Sequence, residues 1–313
     1  MAGPTANYRV DPDGVAVITL ANPPVNALHP AGERVMVICC QHCMHGPSVP
    51  CAVLHRLSGY KHFILSRFCC PAVLRGLFDS LARAHADPKV KAVVVTGSGK
   101  NFSAGFDINQ FQNQSGGGGI DNSINESICR VLEGGPKPTV AAIQGVALGG
   151  GLEVAMGCNA RVAAPGSRLG LPELQLGIIP GFGGTQRLPR LVGLKKAVQM
   201  MLTSTPIKDS DALKLGLVDA VAPAQDLLAA AKQHALDIAE GRKPRVLSLL
   251  RTDHLEPYGE ALAVLDFARA ESAKRARHLK HPQLCLDAIQ TGVEHGGAAG
   301  LVKVRQGEHC VRV

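Results

Sequence analysis

Tryptophan is absent from the 313 residues, and aromatic residues amount to only 4%. Nucleic-acid binders of the stacking type interleave aromatics with dense basic runs, and no such run occurs, so no nucleic-acid partner is expected. No long apolar run is clean enough to span a membrane. The best, 139–158, carries Gln144, five glycines and Glu153. The opening MAGPTANYRVDPDG has neither the basic start nor the apolar centre of a signal peptide, so secretion is not expected. Nucleotide loops are missing too. Gly97-Ser-Gly-Lys100 lacks the earlier glycine of a Walker loop and is followed by Asn101 instead of Ser or Thr. Gly181-Phe-Gly-Gly-Thr-Gln186 fails GxGxxG at its last position.

What is present favours a folded, mixed-class chain. Hydrophobic residues make up 46% and charged residues 19%, enough apolar material for a substantial core and too much for general disorder. One large domain or two smaller ones fit this length. The 35 glycines and 20 prolines imply many turns but show no collagen-like period. A net charge of +8 permits anionic partners, and a phosphate-bearing small molecule fits it at least as well as a polymer. Six of the ten cysteines (Cys39, Cys40, Cys43, Cys51, Cys69, Cys70) crowd into 32 residues. An intracellular chain is expected to keep such thiols reduced.

Along the chain, Val15–Leu20 reads as a first strand ended by Asn22-Pro23-Pro24. Val73–Ala86 has the apolar spacing of an amphipathic helix. Val90–Thr96 and Val140–Val146 read as buried strands. Glycines 149–151 then lead into a helix through about Cys158, and Arg161–Ala164 is a short strand. This alternation argues for an α/β domain. Beyond Gly183 the spacing becomes helical, over Leu188–Thr203, Asp209–Leu215, Ala224–Glu240 and Tyr258–Lys280. No internal repeat is found.

Residues 32–72 stand apart. They hold six cysteines and four histidines with no period, and they separate two copies of Pro-Ala, at 30–31 and 71–72. Removing them leaves NALHPAVLRGLFDSL, a turn running straight into a helix with proline near its start. Unspliced or mis-assigned sequence is the preferred reading. The competing one is zinc at Cys40-Gln-His-Cys43 with His45. No second CxxC or HxxxH pair stands at a suitable distance, and no metal is expected.

Three glycine-rich turns carry the chemistry: Ser103-Ala104-Gly105-Phe106-Asp107, Leu148-Gly-Gly-Gly-Leu-Glu153 and Pro180-Gly-Phe-Gly-Gly-Thr-Gln186. Glycine lets backbone N–H groups approach a ligand, and two such groups converging on one oxygen form an oxyanion hole. Glycines 149–151 sit where a strand hands over to a helix, whose N-terminus adds its positive dipole end. Glu153 then falls in the first helical turn. By spacing alone it either complements that dipole or serves as an acid–base group. Glu173, in Leu171-Pro-Glu-Leu-Gln-Leu-Gly177, is either an ordinary surface-loop glutamate or a second carboxylate for the same chemistry.

With the motifs KNFSAGFDI (100–108), AIQGVALGGGLEVAMGCNARVA (142–163) and LGLPELQLGIIPGFGGTQRLPRLVG (169–193) in order, the chain resembles the crotonase (enoyl-CoA hydratase/isomerase) superfamily. The resemblance covers about residues 8–225, leaving out 32–72. Its FSAGFDINQFQ and LCLDAIQTGV versions are most similar to the N-terminal half of plant or algal peroxisomal multifunctional fatty-acid β-oxidation proteins. The resemblance implies an α/β fold, a ββα spiral core at 1–225, with a helical extension at 226–300. An irregular tail is expected at 301–313.

It further implies oxyanion donors at the backbone N–H groups of Phe106 and Gly150, and Glu153 and Glu173 as the catalytic pair. Substrate contacts are implied at Ala104, Gly105, Asp107 and Gly149. The implied activity is hydration of 2-trans-enoyl-CoA to 3-hydroxyacyl-CoA in β-oxidation, with the acyl-CoA as partner and no cofactor. The alternatives are a Δ3–Δ2 enoyl-CoA isomerase, which needs one glutamate, and a non-catalytic or truncated protein on this fold, including an RNA binder. Lys274–Lys280 is either a coenzyme A contact or a solvated helix face. No dinucleotide fingerprint follows, so no NAD site is expected. The tail shows no Ser-Lys-Leu-type signal, so a peroxisomal location follows from the resemblance alone. Assembly is expected as a monomer or a crotonase-type trimer.

Overall fold

A computed structural model of the chain describes residues 5–21, 72–105, 130–275 and 278–308. The anomalous segment 32–72, with its proposed zinc ligands, lies outside the described residues except for Ala72. The main sheet begins with β1 (Thr5–Val10), which the sequence reading missed, antiparallel to β2 (Val15–Ala21). Asp11-Pro-Asp-Gly14 makes the turn between them. Gly14 takes φ +80°, and its N–H donates to Asp11 O at 2.9 Å.

Helix α1 (Ala72–Ala86) leads to β3 (Ala92–Gly97), and a helical turn at 130–134 precedes β4 (Thr139–Ile143). Strands β5 (Val146–Leu148), β6 (Ala160–Ala163) and β7 (Arg168–Gly170) follow, with α2 (Gly150–Gly157) between β5 and β6. Next come a 3-10 turn (Glu173–Leu176), α3 (Gly184–Val192), α4 (Leu194–Thr203), β8 (Ile207–Lys208), α5 (Asp209–Lys214), β9 (Ala220–Val221) and α6 (Leu227–Ala239). The extension is α7 (Tyr258–Arg275), α8 (His281–His295) and α9 (Gly297–Glu308). The main sheet runs β1-β2-β3-β4-β6-β9, parallel from β2 onward, and β5, β7 and β8 form a small second sheet.

The valine- and alanine-rich strands are central because both their faces are covered. Val93, Val95, Ala141 and Ile143 point into the larger core, with Leu77 and Leu81 of α1. Their alternating neighbours Ala92, Val94, Val140 and Ala142 meet Leu227, Ala231, Ala235 and Ile238 of α6. This is the two-residue period of a strand read onto two layers.

Four expectations change. The strand read over Val140–Val146 is two strands in different sheets. They are split at Gly145, whose φ is +62° and where a Cβ would overlap the Lys100 carbonyl. The helix read over Leu188–Thr203 is two, parted at Gly193 (φ +83°). Its second half is capped by Glu256, whose carboxylate accepts from Leu194 N (2.8 Å) and Lys195 N (3.0 Å). The Tyr258–Lys280 helix is described over Tyr258–Arg275, residues 278–280 are not helical, and a separate helix, α8, starts at His281 with Pro282 in its first turn.

The expected irregular tail is helical through Glu308. It belongs to α9, whose leading glycines serve close packing: a Cβ on Gly297 would stand 2.6 Å from Leu249 Cδ1. Among the described residues no helix is long and apolar enough to cross a membrane.

Candidate active site

The split at Gly145 builds the site. After the turn, the chain re-enters as β5, and residues 101–105 lie alongside it. Phe102 N donates to Gln144 O (2.7 Å), Ser103 N to Val146 O (3.1 Å) and Leu148 N to Ser103 O (2.9 Å). This register carries Ala104 and Gly105 to the end of β5, where Gly149 begins the next turn. Gly105 has φ +108°, and its N–H is held by Ser103 Oγ at 3.2 Å.

Gly149 adopts φ +53°, ψ −133°, a conformation that side chains disfavour. Its N–H donates to Gly170 O (2.9 Å), and its carbonyl accepts from Glu153 N (3.0 Å). A Cβ there would stand 3.0 Å from Glu173 Oε1 and 3.8 Å from Gly105 Cα. Thus three turns far apart in sequence meet within the reach of one methyl group.

Gly150 is the first residue of α2, in the turn whose N–H groups lack intrahelical partners and carry the positive dipole end. All eight residues of this helix are buried. Glycine at 151 lets it approach Ser103, because a Cβ there would lie 2.6 Å from both Ser103 Cβ and Ser103 O.

Glu153 is 1% exposed. It does lie in the first turn of α2, yet its carboxylate is used at a different helix. Oε1 accepts the N–H groups of Phe182 (2.8 Å) and Gly184 (2.7 Å), the latter opening α3. A Cβ on Gly184 would come within 2.9 Å of that oxygen, so glycine is what admits the carboxylate. The two donors are residues that the sequence reading did not single out. Their glycine turn was visible, but nothing local names its partner 29 residues upstream.

Glu173 opens the 3-10 turn between β7 and α3 and is 7% exposed, which sets aside the surface-loop reading. Its Oε2 is buried with no hydrogen-bond partner among the described residues. Burial, and then the nearby Glu153 carboxylate, raise its pKa well above the ordinary glutamate range. Glu173 therefore holds its proton at pH values where ordinary glutamates have lost theirs.

The extension reaches the same place. Cys285 of α8 is fully buried, and its thiol is pushed up to about 12, first by burial and then by Glu173 and Glu153. His281 hydrogen-bonds the backbone of Leu174, next to Glu173, and burial lowers its pKa.

The structure thus brings together Glu153, Glu173, Gly149, Gly150, Gly105 and, one residue before it, Ala104. Phe106 and Asp107 lie outside the described residues. Lys274 is exposed and paired with Glu271 at 2.9 Å, as a solvated helix face would be. The site offers a buried carboxyl whose pKa is raised, a carboxylate fixed by two N–H groups, and a helix N-terminus beside both. That set can polarise an oxygen and move protons around it.

Residues 69–256 match the family described as enoyl-CoA hydratase/isomerase. The chain is 46% identical over 306 residues to a glyoxysomal fatty acid beta-oxidation multifunctional protein of Brassica napus, covering 96% of this chain and 37% of that protein. It is 43% identical over 183 residues to a probable enoyl-CoA hydratase of Bacillus subtilis, covering 57% of this chain and 70% of the other. The crystal structure of an enoyl-CoA hydratase from Mycobacterium avium superposes with a TM-score of 0.56 at 21% identity, over 98% of this chain and 96% of that one, a likeness of fold.

Proposed function

The chain belongs to the enoyl-CoA hydratase/isomerase family, and we propose that it adds water to a 2-trans-enoyl-CoA to give the 3-hydroxyacyl-CoA in fatty-acid β-oxidation. Because it spans 37% of the Brassica napus relative, any further activity of a longer protein is outside this proposal. The observation that carries it is a pair of interacting buried glutamates, Glu173 with its pKa raised by burial and by Glu153, and Glu153 held by two N–H groups.

In this reading the thioester carbonyl oxygen accepts from the N–H of Gly150. A second donor is assigned by resemblance to Phe106, which follows Gly105 in the chain. Negative charge grows on that oxygen in the enolate-like transition state, and one oxyanion donor is typically worth about 3 kcal/mol. Withdrawal of electrons toward the oxygen leaves the β-carbon electrophilic. Glu153, oriented by Phe182 and Gly184, takes a proton from the attacking water. Glu173 gives its proton to the α-carbon. The pair ends the reaction with its single proton moved from Glu173 to Glu153, and water has been added across the double bond. The donors and the pair together supply the polarisation and both proton transfers, so the proposal includes no cofactor. The names of the plant relatives support a peroxisomal setting.

The test is hydration of crotonyl-CoA by the purified chain, followed at the enoyl thioester absorbance. Glu153→Gln and Glu173→Gln should each lower kcat by about 10²- to 10⁴-fold. Folded protein without turnover refutes the reading. Conversion of a 3-enoyl-CoA without hydration reassigns the site to isomerisation.

A further inference from the structure

The extension docks on α3, the helix whose first residue holds Glu153. Gln186, fully buried in the first turn of α3, donates from Nε2 to Ala288 O of α8 at 2.8 Å. Arg190, one turn further along α3, donates to Gly292 O of α8 (2.7 Å) and back to Gln186 O (2.9 Å). The slot that receives the Gln186 amide is made by two absent side chains. A Cβ on Gly292 of α8, or on Gly300 of α9, would overlap Gln186 Oε1. Gly292 costs its helix about 1 kcal/mol relative to alanine, so local propensity does not account for glycine here. Gln186 and Gly184 share one helical turn, and Gly184 N–H is 2.7 Å from Glu153 Oε1.

We propose that Gln186, seated in the Gly292–Gly300 slot, is a positioning residue through which the C-terminal extension sets the placement of Glu153. The path is short: Ala288 carbonyl, Gln186 side-chain amide, first turn of α3, Gly184 N–H, Glu153 carboxylate. Displacing the amide moves the N-terminus of α3 against a carboxylate that has no slack, since a Cβ at Gly184 would already meet it at 2.9 Å. The kinetic consequence rests on the hydratase reading above; the mechanical coupling does not.

The test fills the slot from the far side. Gly292→Ala improves α8 as a helix while evicting the amide, and Gln186→Ala empties the slot. Each should lower kcat for crotonyl-CoA by about tenfold or more, with KM within about twofold, as expected for a misplaced group instead of lost binding. Amide hydrogen exchange over residues 180–187 should quicken in both at Phe182 and Gly184. In the Gln186→Ala background, Gly292→Ala should add nothing, because its target is gone.

Unchanged kcat and exchange in folded Gly292→Ala overturn the proposal. So does a loss that adds fully in the double variant, or one that merely tracks the fall in Tm. If the unaltered chain does not hydrate crotonyl-CoA, the functional reading fails, and exchange at Phe182 and Gly184 still decides the coupling.

Discussion

Gly151 gives the sharpest test of how closely the turn proposed to hold the oxyanion is packed. It lies in the first turn of α2, and a Cβ there would sit 2.6 Å from Ser103 O and 2.8 Å from Ser103 Oγ. Moving from 2.6 Å to the 3.4 Å of ordinary contact requires a shift of about 0.8 Å. Ser103 cannot absorb this by rotating, because one of the opposing atoms is backbone that also accepts from Leu148 N. The strain therefore passes to residues 103–105 or to α2, which separates the two sides of the proposed oxyanion site.

Gly151→Ala should cost about 1–3 kcal/mol of stability as an overpacking change. Catalysis should suffer more, since misplacement by about 1 Å can cost about 10²-fold in rate. Gly157→Ala, at the other end of the same helix, is the control. Its Cβ would meet Leu132 Cδ1 at 3.4 Å, an ordinary contact, so that variant should keep its activity. Thermal melts and crotonyl-CoA kinetics on the two variants read both quantities. A folded Gly151→Ala with the kcat of the unaltered chain would refute the argument that this glycine sets the oxyanion geometry.

Two further outcomes follow from the buried groups. Glu173 has its pKa raised in the fold, so its contribution to stability is complete below the unfolded value of about 4.3 and is lost as pH rises toward the folded value. Glu173→Gln has no such loss. Its Tm relative to the unaltered chain should therefore climb as pH rises above about 4.3, and a flat difference would contradict the raised pKa that burial and then Glu153 give Glu173. Cys158 and Cys285 are buried, with thiols pushed up to about 12. Both should resist an aromatic disulfide reagent in the folded chain and react once it is denatured, and their modification in folded protein, read by peptide mass, would show the core to be open.

Much of this protein was legible in one dimension. The valine-rich runs specify strands buried on both faces, and the glycine turns mark where backbone must come close to something. Two glutamates in three ordered motifs point to the family and its chemistry. Sequence alone left each glutamate with a second reading, because burial and electrostatic proximity arise only from long-range packing. That Glu153 lies in the first turn of one helix yet binds the N-terminus of another was decided by the crossing of α2 and α3. That the Glu173 pKa is raised follows first from its burial and then from the Glu153 carboxylate beside it, and both come from long-range packing.

The breaks at Gly145 and Gly193 escaped the periodicity because apolar spacing runs on across a left-handed glycine. The helix running into the tail escaped because the glycines that open it, Gly297 and Gly300, look like a break until Leu249 and Gln186 are seen filling the space they leave. A sequence records which positions are small or charged. Only the folded chain decides what surrounds them, and those surroundings both raise the Glu173 pKa and seat Gln186.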